Sequence, residues 1–151
     1  GRCDVFVTDK FGLGARRLAM TNPGDHIILP ETISNEPISP MVPHGDQVWR
    51  DIVVWTLNSL ITAEEYGITS KNIDKMRSSS TNPFIQRVLG KTGKFGGKIG
   101  LGKDWAYRAI KAVGNYGEIW ENHLGKHGLG MPRGKNELYT NGGLLISPPF
   151  R

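Results

Sequence analysis

Apolar and polar positions follow two different patterns along this chain. In the first third, short apolar runs rich in strand-forming residues alternate with polar turns. They predict strands over residues 5–7, 26–30 and 38–42, with a helix over residues 10–20 between the first two. A polar connection over residues 31–37 precedes the third strand and predicts a linker.

From residue 45 onward the apolar residues recur at helical spacing. The strongest pattern covers residues 45–66, with Asp46 as the N-cap and Gly67 just beyond the C-terminus. Shorter helices are predicted up to residue 76 and from Pro83 to Leu89, and a longer one over residues 104–120. The segment 90–102 predicts a loop, and the tail 125–151 predicts a surface wrap. The elements predict an α/β fold with few strands in the N-terminal third, followed by a mostly helical C-terminal region. This order is unusual for a complete α/β domain, in which strands and helices alternate, and it fits a fragment of one better.

Composition narrows the class of protein without naming a function. The chain has 151 residues, 38% of them hydrophobic, which is enough for a real core and typical of neither a disordered nor a membrane protein. No signal peptide is visible. The net charge of +5 has two interpretations, a solvated basic face or a polyanion-binding surface, and the first is favoured because Phe95 alone could stack on bases in the basic segment.

The one cysteine, Cys3, excludes an internal disulfide framework and a zinc site built on several cysteines. Two interpretations remain open for it: a small buried hydrophobic residue at the start of a strand, or a disulfide to a segment outside this chain.

Several apparent motifs fail on spacing, so no catalytic residue, metal site or cofactor is predicted. Gly90-Lys91-Thr92 lacks the earlier glycine and the preceding strand of a phosphate loop. The pair His123 and His127 lacks the glutamate of a protease-type zinc helix. Glu64 and Glu65 are interpreted as the polar face of the long helix.

Asp9 is the most informative candidate residue, together with Thr8. Asp9 follows the first predicted strand, and the carboxyl end of a strand in an α/β sheet is where ligands bind. A carboxylate there can hold a ligand's ammonium group through charge-assisted hydrogen bonds. Asp9 can equally well cap the helix that follows, and the spacing does not decide between these two roles.

The whole sequence resembles one family, the substrate-binding proteins of polar amino-acid ABC transporters, and within it the general L-amino-acid-binding branch. The resemblance covers only the C-terminal half of such a protein. It is carried by the order and spacing of several short segments: Gly1-Arg2-Cys3-Asp4, Thr8-Asp9-Lys10, Ile28-Leu29-Pro30-Glu31, Glu36-Pro37, His44-Gly45-Asp46, Ala63-Glu64-Glu65-Tyr66-Gly67-Ile68-Thr69, Asn115-Tyr116-Gly117-Glu118-Ile119, Gly142-Gly143-Leu144-Leu145 and Pro148-Pro149.

The resemblance implies part of a two-lobed type II periplasmic-binding-protein fold. Residues 1–33 would be the strand-helix-strand end of lobe two and residues 34–38 a hinge strand. Residues 39–151 would return to lobe one and add a C-terminal helical extension. It also implies that Asp9 holds the α-ammonium group of an amino acid and that Thr8 lines the pocket. Phe11 and Pro43 depart from the branch's pattern.

The function implied is that of a periplasmic, non-enzymatic protein that captures L-amino acids by hinge closure. Its expected partners are the amino acid, a membrane permease, and the N-terminal half or another chain that completes the sheet. Nucleic acid is not expected. The alternatives are an enzyme on the same fold, dehydratase-like, that acts on a small carboxylic acid, or a basic module that binds polyanions.

Overall fold

The computed structural model describes residues 3–150, and helices are their main regular structure. Seven α-helices lie in this part of the chain, and three short 3₁₀ helices lie at Pro23–Asp25, Gly134–Asn136 and Tyr139–Asn141. The α-helices are α1 (Lys10–Leu18), α2 (Gln47–Glu65), α3 (Ile73–Ser79), α4 (Pro83–Val88), α5 (Phe95–Lys98), α6 (Trp105–Val113) and α7 (Tyr116–His123).

These residues group into two compact units, each made of two separate stretches of chain. Unit 1 comprises residues 3–39 and 120–132, and unit 2 comprises residues 40–119 and 133–150. Unit 2 contains the main hydrophobic core.

The helical part of the fold expectation agrees with the structure, but the predicted strands are not found within residues 3–150. The only ladder contact there is an isolated parallel bridge between Leu138 and Leu145. The three apolar runs instead present exposed side chains, for example Val5 at 75%, Ile27 at 81% and Ile38 at 65%. A strand needs a neighbouring strand to pair its backbone groups, and the described residues offer none to these runs.

Helix α2 follows its sequence signals closely. The Asp46 carboxylate accepts a hydrogen bond from the Trp49 backbone N–H at 2.9 Å, which satisfies one of the unpaired donors of the first turn. The helix ends before Gly67, whose φ of 63° lies in the left-handed region that glycine adopts without strain. The Asn82-Pro83 start of α4 is also confirmed, since Asn82 accepts a hydrogen bond from the Phe84 N–H.

An aromatic cluster around Phe150 forms part of the core of unit 2. Phe150 is 2% exposed, and its ring centroid lies 5.1 Å from that of Trp55, 5.3 Å from that of Phe95 and 6.3 Å from that of Trp105. The Phe150 carbonyl oxygen also accepts a hydrogen bond from the Arg87 guanidinium at 2.8 Å. The prediction that the tail wraps the surface is therefore wrong for its last part.

Three helix predictions also need correction. The long helix expected over residues 104–120 is two helices, α6 and α7, because Gly114 breaks it with a φ of 85°. The short helix expected to end at residue 76 begins at Ile73 and runs to Ser79. The predicted loop over residues 90–102 contains one further turn of helix, α5.

Candidate functional site

The N-terminus of α1 carries both residues that the sequence singled out, Thr8 and Asp9. Both are exposed. Asp9 occupies the N-cap position, and its backbone carbonyl accepts a hydrogen bond from the Leu13 N–H at 2.9 Å. Its carboxylate makes no capping hydrogen bond, so the side chain is not used for that purpose. The Thr8 methyl group lies beside the first turn of α1, 3.4 Å from where a Cβ on Gly12 would be.

Three contacts within unit 1 fix the position of α1, the helix that Thr8 and Asp9 precede. Gly14, the buried residue of α1, faces the Met131 side chain, whose sulfur lies 2.9 Å from where a Cβ on Gly14 would be. The Lys10 ammonium donates a hydrogen bond to the Pro30 carbonyl oxygen at 3.0 Å. Arg16 lies over the ring of Phe6, 5.2 Å from its centroid. The helix that presents Asp9 is thus tied to segments on both sides of it in the sequence.

The chemistry available at this end of α1 is ionic recognition. A carboxylate that is exposed and free of cap bonding can accept hydrogen bonds from a ligand ammonium group, and the Thr8 hydroxyl can donate or accept one more. Among the described residues, no other carboxylate occupies an N-cap next to a hydroxyl side chain in this way.

A second polar cluster, which the sequence analysis did not identify, lies in unit 2 at the start of α7. Glu118 and Asn115 form a reciprocal cap: each side chain accepts a hydrogen bond from the other's backbone N–H at 2.9 Å. The Glu118 carboxylate also accepts hydrogen bonds from the Ser70 N–H and hydroxyl, the latter at 2.6 Å. Burial alone would raise the pKa of Glu118, but the hydrogen bonds from Ser70 and Asn115 outweigh it and lower that pKa.

Glu64 and Arg133 form a bidentate ion pair in unit 2, with side-chain exposures of 14% and 9%. Arg133 also donates to the Asn136 carbonyl oxygen and lies 5.6 Å from the ring centroid of Tyr116. Burial opposes the charge on Arg133, but the hydrogen bonds and charge of Glu64 raise its pKa above the ordinary value. Glu64 is therefore a largely buried partner of Arg133 and not a residue of a solvated helix face.

This ion pair and the Glu118 cluster are satisfied networks, and they position helices rather than offer an open site. Glu65 is similarly engaged, by the Tyr139 hydroxyl at 3.2 Å. The pairing of Glu64 with Arg133 joins residues 69 positions apart, so no local pattern could have indicated it.

The histidines and the cysteine considered in the sequence analysis do not form a metal site in the described residues. No group of three potential metal ligands occurs among residues 3–150. His26 contacts the Asn22 carbonyl oxygen at 3.0 Å. Cys3, the one cysteine of the chain, is exposed, so the interpretation of Cys3 as a small buried hydrophobic residue is wrong. Over the same residues, none of the helices has both the length and the apolar character that crossing a membrane requires.

Proteins of known name resemble this chain along its whole length. The chain is 51% identical, over its full length, to the general L-amino acid-binding periplasmic protein AapJ of Rhizobium johnstonii. It is 49% identical to the glutamate/glutamine/aspartate/asparagine-binding protein BztA of Rhodobacter capsulatus, again along its whole length. Along its whole length, the chain is homologous to proteins that are named as amino-acid-binding. No family model matches it.

The homology covers the chain but only part of its relatives. The chain spans about 45% of the length of AapJ and of BztA. A solved structure gives the same picture: a periplasmic binding protein of an ABC transporter from Brucella ovis, with glutathione bound, superimposes with a TM-score of 0.94 at 48% identity. That match covers 99% of this chain and 47% of the solved chain. These shares agree with the expectation that the resemblance extends over one half of the family's proteins.

Proposed function

We propose that this chain is part of a periplasmic solute-binding protein that captures L-amino acids for an ABC importer. The observation that carries the proposal is the identity of 49% and 51%, along the whole chain, to two proteins that are both named as amino-acid-binding. The names of both relatives describe binding, and the solved structure is a periplasmic binding protein of an ABC transporter, so the proposed role is capture without chemical change of the ligand.

The proposed mechanism is closure of two lobes around the ligand. Residues 1–33 would belong to one lobe, together with residues 120–132, which group with them in unit 1, and the rest of residues 39–151 would belong to the other, with residues 34–38 as the hinge between them. Binding of an amino acid would favour the closed form, which a membrane permease would then recognise. Because the chain spans less than half of its relatives' length, the remainder of the pocket would come from residues outside this chain, either an N-terminal half or another chain.

In this mechanism Asp9 would hold the α-ammonium group of the ligand, and Thr8 would add a hydroxyl contact. Two features of the structure support these roles: the carboxylate is exposed, and it makes no bond to the cap of its own helix. Removing one partner of a desolvated ammonium–carboxylate pair costs roughly 3–5 kcal/mol of binding free energy.

The test is calorimetric titration of the full gene product that contains this chain. The ligands are L-glutamate, L-glutamine, L-alanine and glutathione, whose glutamyl end keeps a free α-ammonium and α-carboxylate. Asp9→Asn should weaken binding by at least roughly 100-fold, because it removes the charge that pairs with the ammonium group. Asp4→Asn is the matched control, since Asp4 lies in the same exposed segment. Unchanged affinity in Asp9→Asn would rule out the assignment of Asp9, and absence of binding by every amino acid would rule out the function.

A further inference from the structure

Residues 90–103, which we call the lysine loop, form a closed surface loop of unit 2. Its two ends touch, since a Cβ at Gly90 would overlap the carbonyl oxygen of Lys103. Nearer its middle, a Cβ at Gly96 would overlap the carbonyl oxygen of Gly102. Backbone approaches as close as these are open only to glycine, so the glycines give this loop a compact and defined shape.

Hydrogen bonds and apolar contacts anchor the loop from below. The backbone N–H groups of Lys91 and Thr92 both donate to the Gln86 carbonyl oxygen, at 2.8 and 3.2 Å. Phe95 turns toward the core, where its ring centroid lies 4.6 Å from that of Trp55, and Ile99 is 5% exposed. The apolar side chains of the loop thus point inward.

The polar side of the loop carries an unneutralised positive charge. Its four lysines are all exposed: Lys91, Lys94, Lys98 and Lys103. No Asp or Glu occurs anywhere in residues 75–103. Within residues 3–150 none of these four lysines forms an ion pair, whereas nearby Lys111 pairs with Asp74 at 3.0 Å.

We infer that the lysine loop is a docking surface for an anionic phospholipid membrane. Lysine ammonium groups are compact point charges that need no fixed acceptor geometry, which suits mobile lipid headgroups. The loop contains no arginine, whose planar guanidinium group favours acceptors in a fixed bidentate geometry. Stacking on nucleic-acid bases would need an outward aromatic ring, and Phe95 faces inward. The inference rests on the proposed function, since a protein that serves a membrane permease works beside a lipid surface.

The experiment is co-sedimentation of the full gene product that contains this chain with vesicles at low and high salt. One vesicle preparation is phosphatidylcholine alone, and the other adds phosphatidylglycerol. Each basic residue at an anionic surface strengthens binding roughly fivefold, so the double variant Lys94→Gln/Lys98→Gln should partition roughly 25-fold more weakly. The control Lys71→Gln/Lys126→Gln removes the same charge from exposed positions outside the loop. It should change partitioning by about twofold or less, because the inference assigns the contact with the membrane to the loop and not to these two positions.

Binding that requires phosphatidylglycerol, weakens with salt and is lost mainly in the loop variant is the expected result. Equal loss in both variants, equal binding to both vesicle types, or no vesicle binding would overturn the inference. A DNA duplex bound more tightly than phosphatidylglycerol vesicles would overturn it in favour of nucleic acid. Amino-acid calorimetry on the same samples separates the two proposals. The loop variant should keep wild-type ligand affinity, and vesicle binding without any amino-acid binding would contradict the proposed function alone.

Discussion

Removal of Arg133 from its ion pair with Glu64 should destabilise unit 2 far more than removal of an exposed salt bridge. The substitution Arg133→Met keeps the length and apolar stem of the side chain but leaves the Glu64 carboxylate, 14% exposed, without its bidentate partner. An uncompensated buried charge costs roughly 3–5 kcal/mol. We expect about 3 kcal/mol, the lower end, because the neighbouring Asn136 is exposed and water can approach.

A double-mutant cycle measures how much of this cost belongs to the pair. Glu64→Gln leaves Arg133 with the Asn136 carbonyl and the Glu137 carboxylate, the latter 3.6 Å away, so its cost should be smaller, about 1–2 kcal/mol. The double variant should therefore cost less than the sum of the two single variants, by about 1–2 kcal/mol. Urea unfolding, followed by tryptophan fluorescence and circular dichroism, gives each free energy.

Arg108→Met is the matched control. Its partner Asp104 lies 3.5 Å away, and the two side chains are 63% and 36% exposed, so this variant should lose about 0.5 kcal/mol or less. If Arg133→Met costs no more than Arg108→Met, or if the two single variants add without coupling, the ion pair does not have the stabilising role assigned to it.

Two further predictions concern unit 2. Phe150→Ala should lower the free energy of unfolding in urea by about 3–5 kcal/mol, because it empties the centre of the aromatic cluster. The control Leu144→Ala, at a residue 72% exposed, should stay within about 0.5 kcal/mol of the wild type. Equal losses in the two variants would contradict this account of the core. Glu118 has a folded-state pKa below its ordinary value of 4.5, so its stabilising contribution is complete above that pH and is lost as the pH falls through the folded pKa. The stability gap between the wild type and Glu118→Gln should accordingly narrow as the pH falls below 4.5, and a gap that stays constant there would refute the assigned charge state.

The parts of this fold that sequence predicts well are those set by local signals. The start of α2 follows from Asp46, and the start of α4 follows from Asn82-Pro83, because a cap and its helix lie within a few residues of each other. The sequence indicates that Gly114 weakens the helix but not that the helix ends there. The packing around a glycine decides whether it interrupts a helix or is tolerated within it.

The parts that the sequence predicts badly depend on distant partners. The strands expected in the first third need neighbouring strands that residues 3–150 do not supply. The burial of Phe150 and the pairing of Glu64 with Arg133 both rest on contacts between residues far apart along the chain. For the candidate site, the sequence identified Thr8 and Asp9 and the structure gives their surroundings; their role in binding stays a prediction.

The place of Phe150 in the core has a consequence for biosynthesis. A ribosome releases the chain in order, so Trp55, Phe95 and Trp105 emerge well before the side chain that fills the space among them. Until residue 150 is synthesised, the nascent chain presents an aromatic surface with a vacancy at its centre. Unit 2 therefore cannot complete its core during translation of its helices. In that interval the aromatic side chains stay exposed, and exposed apolar surface makes an incompletely folded chain prone to aggregation.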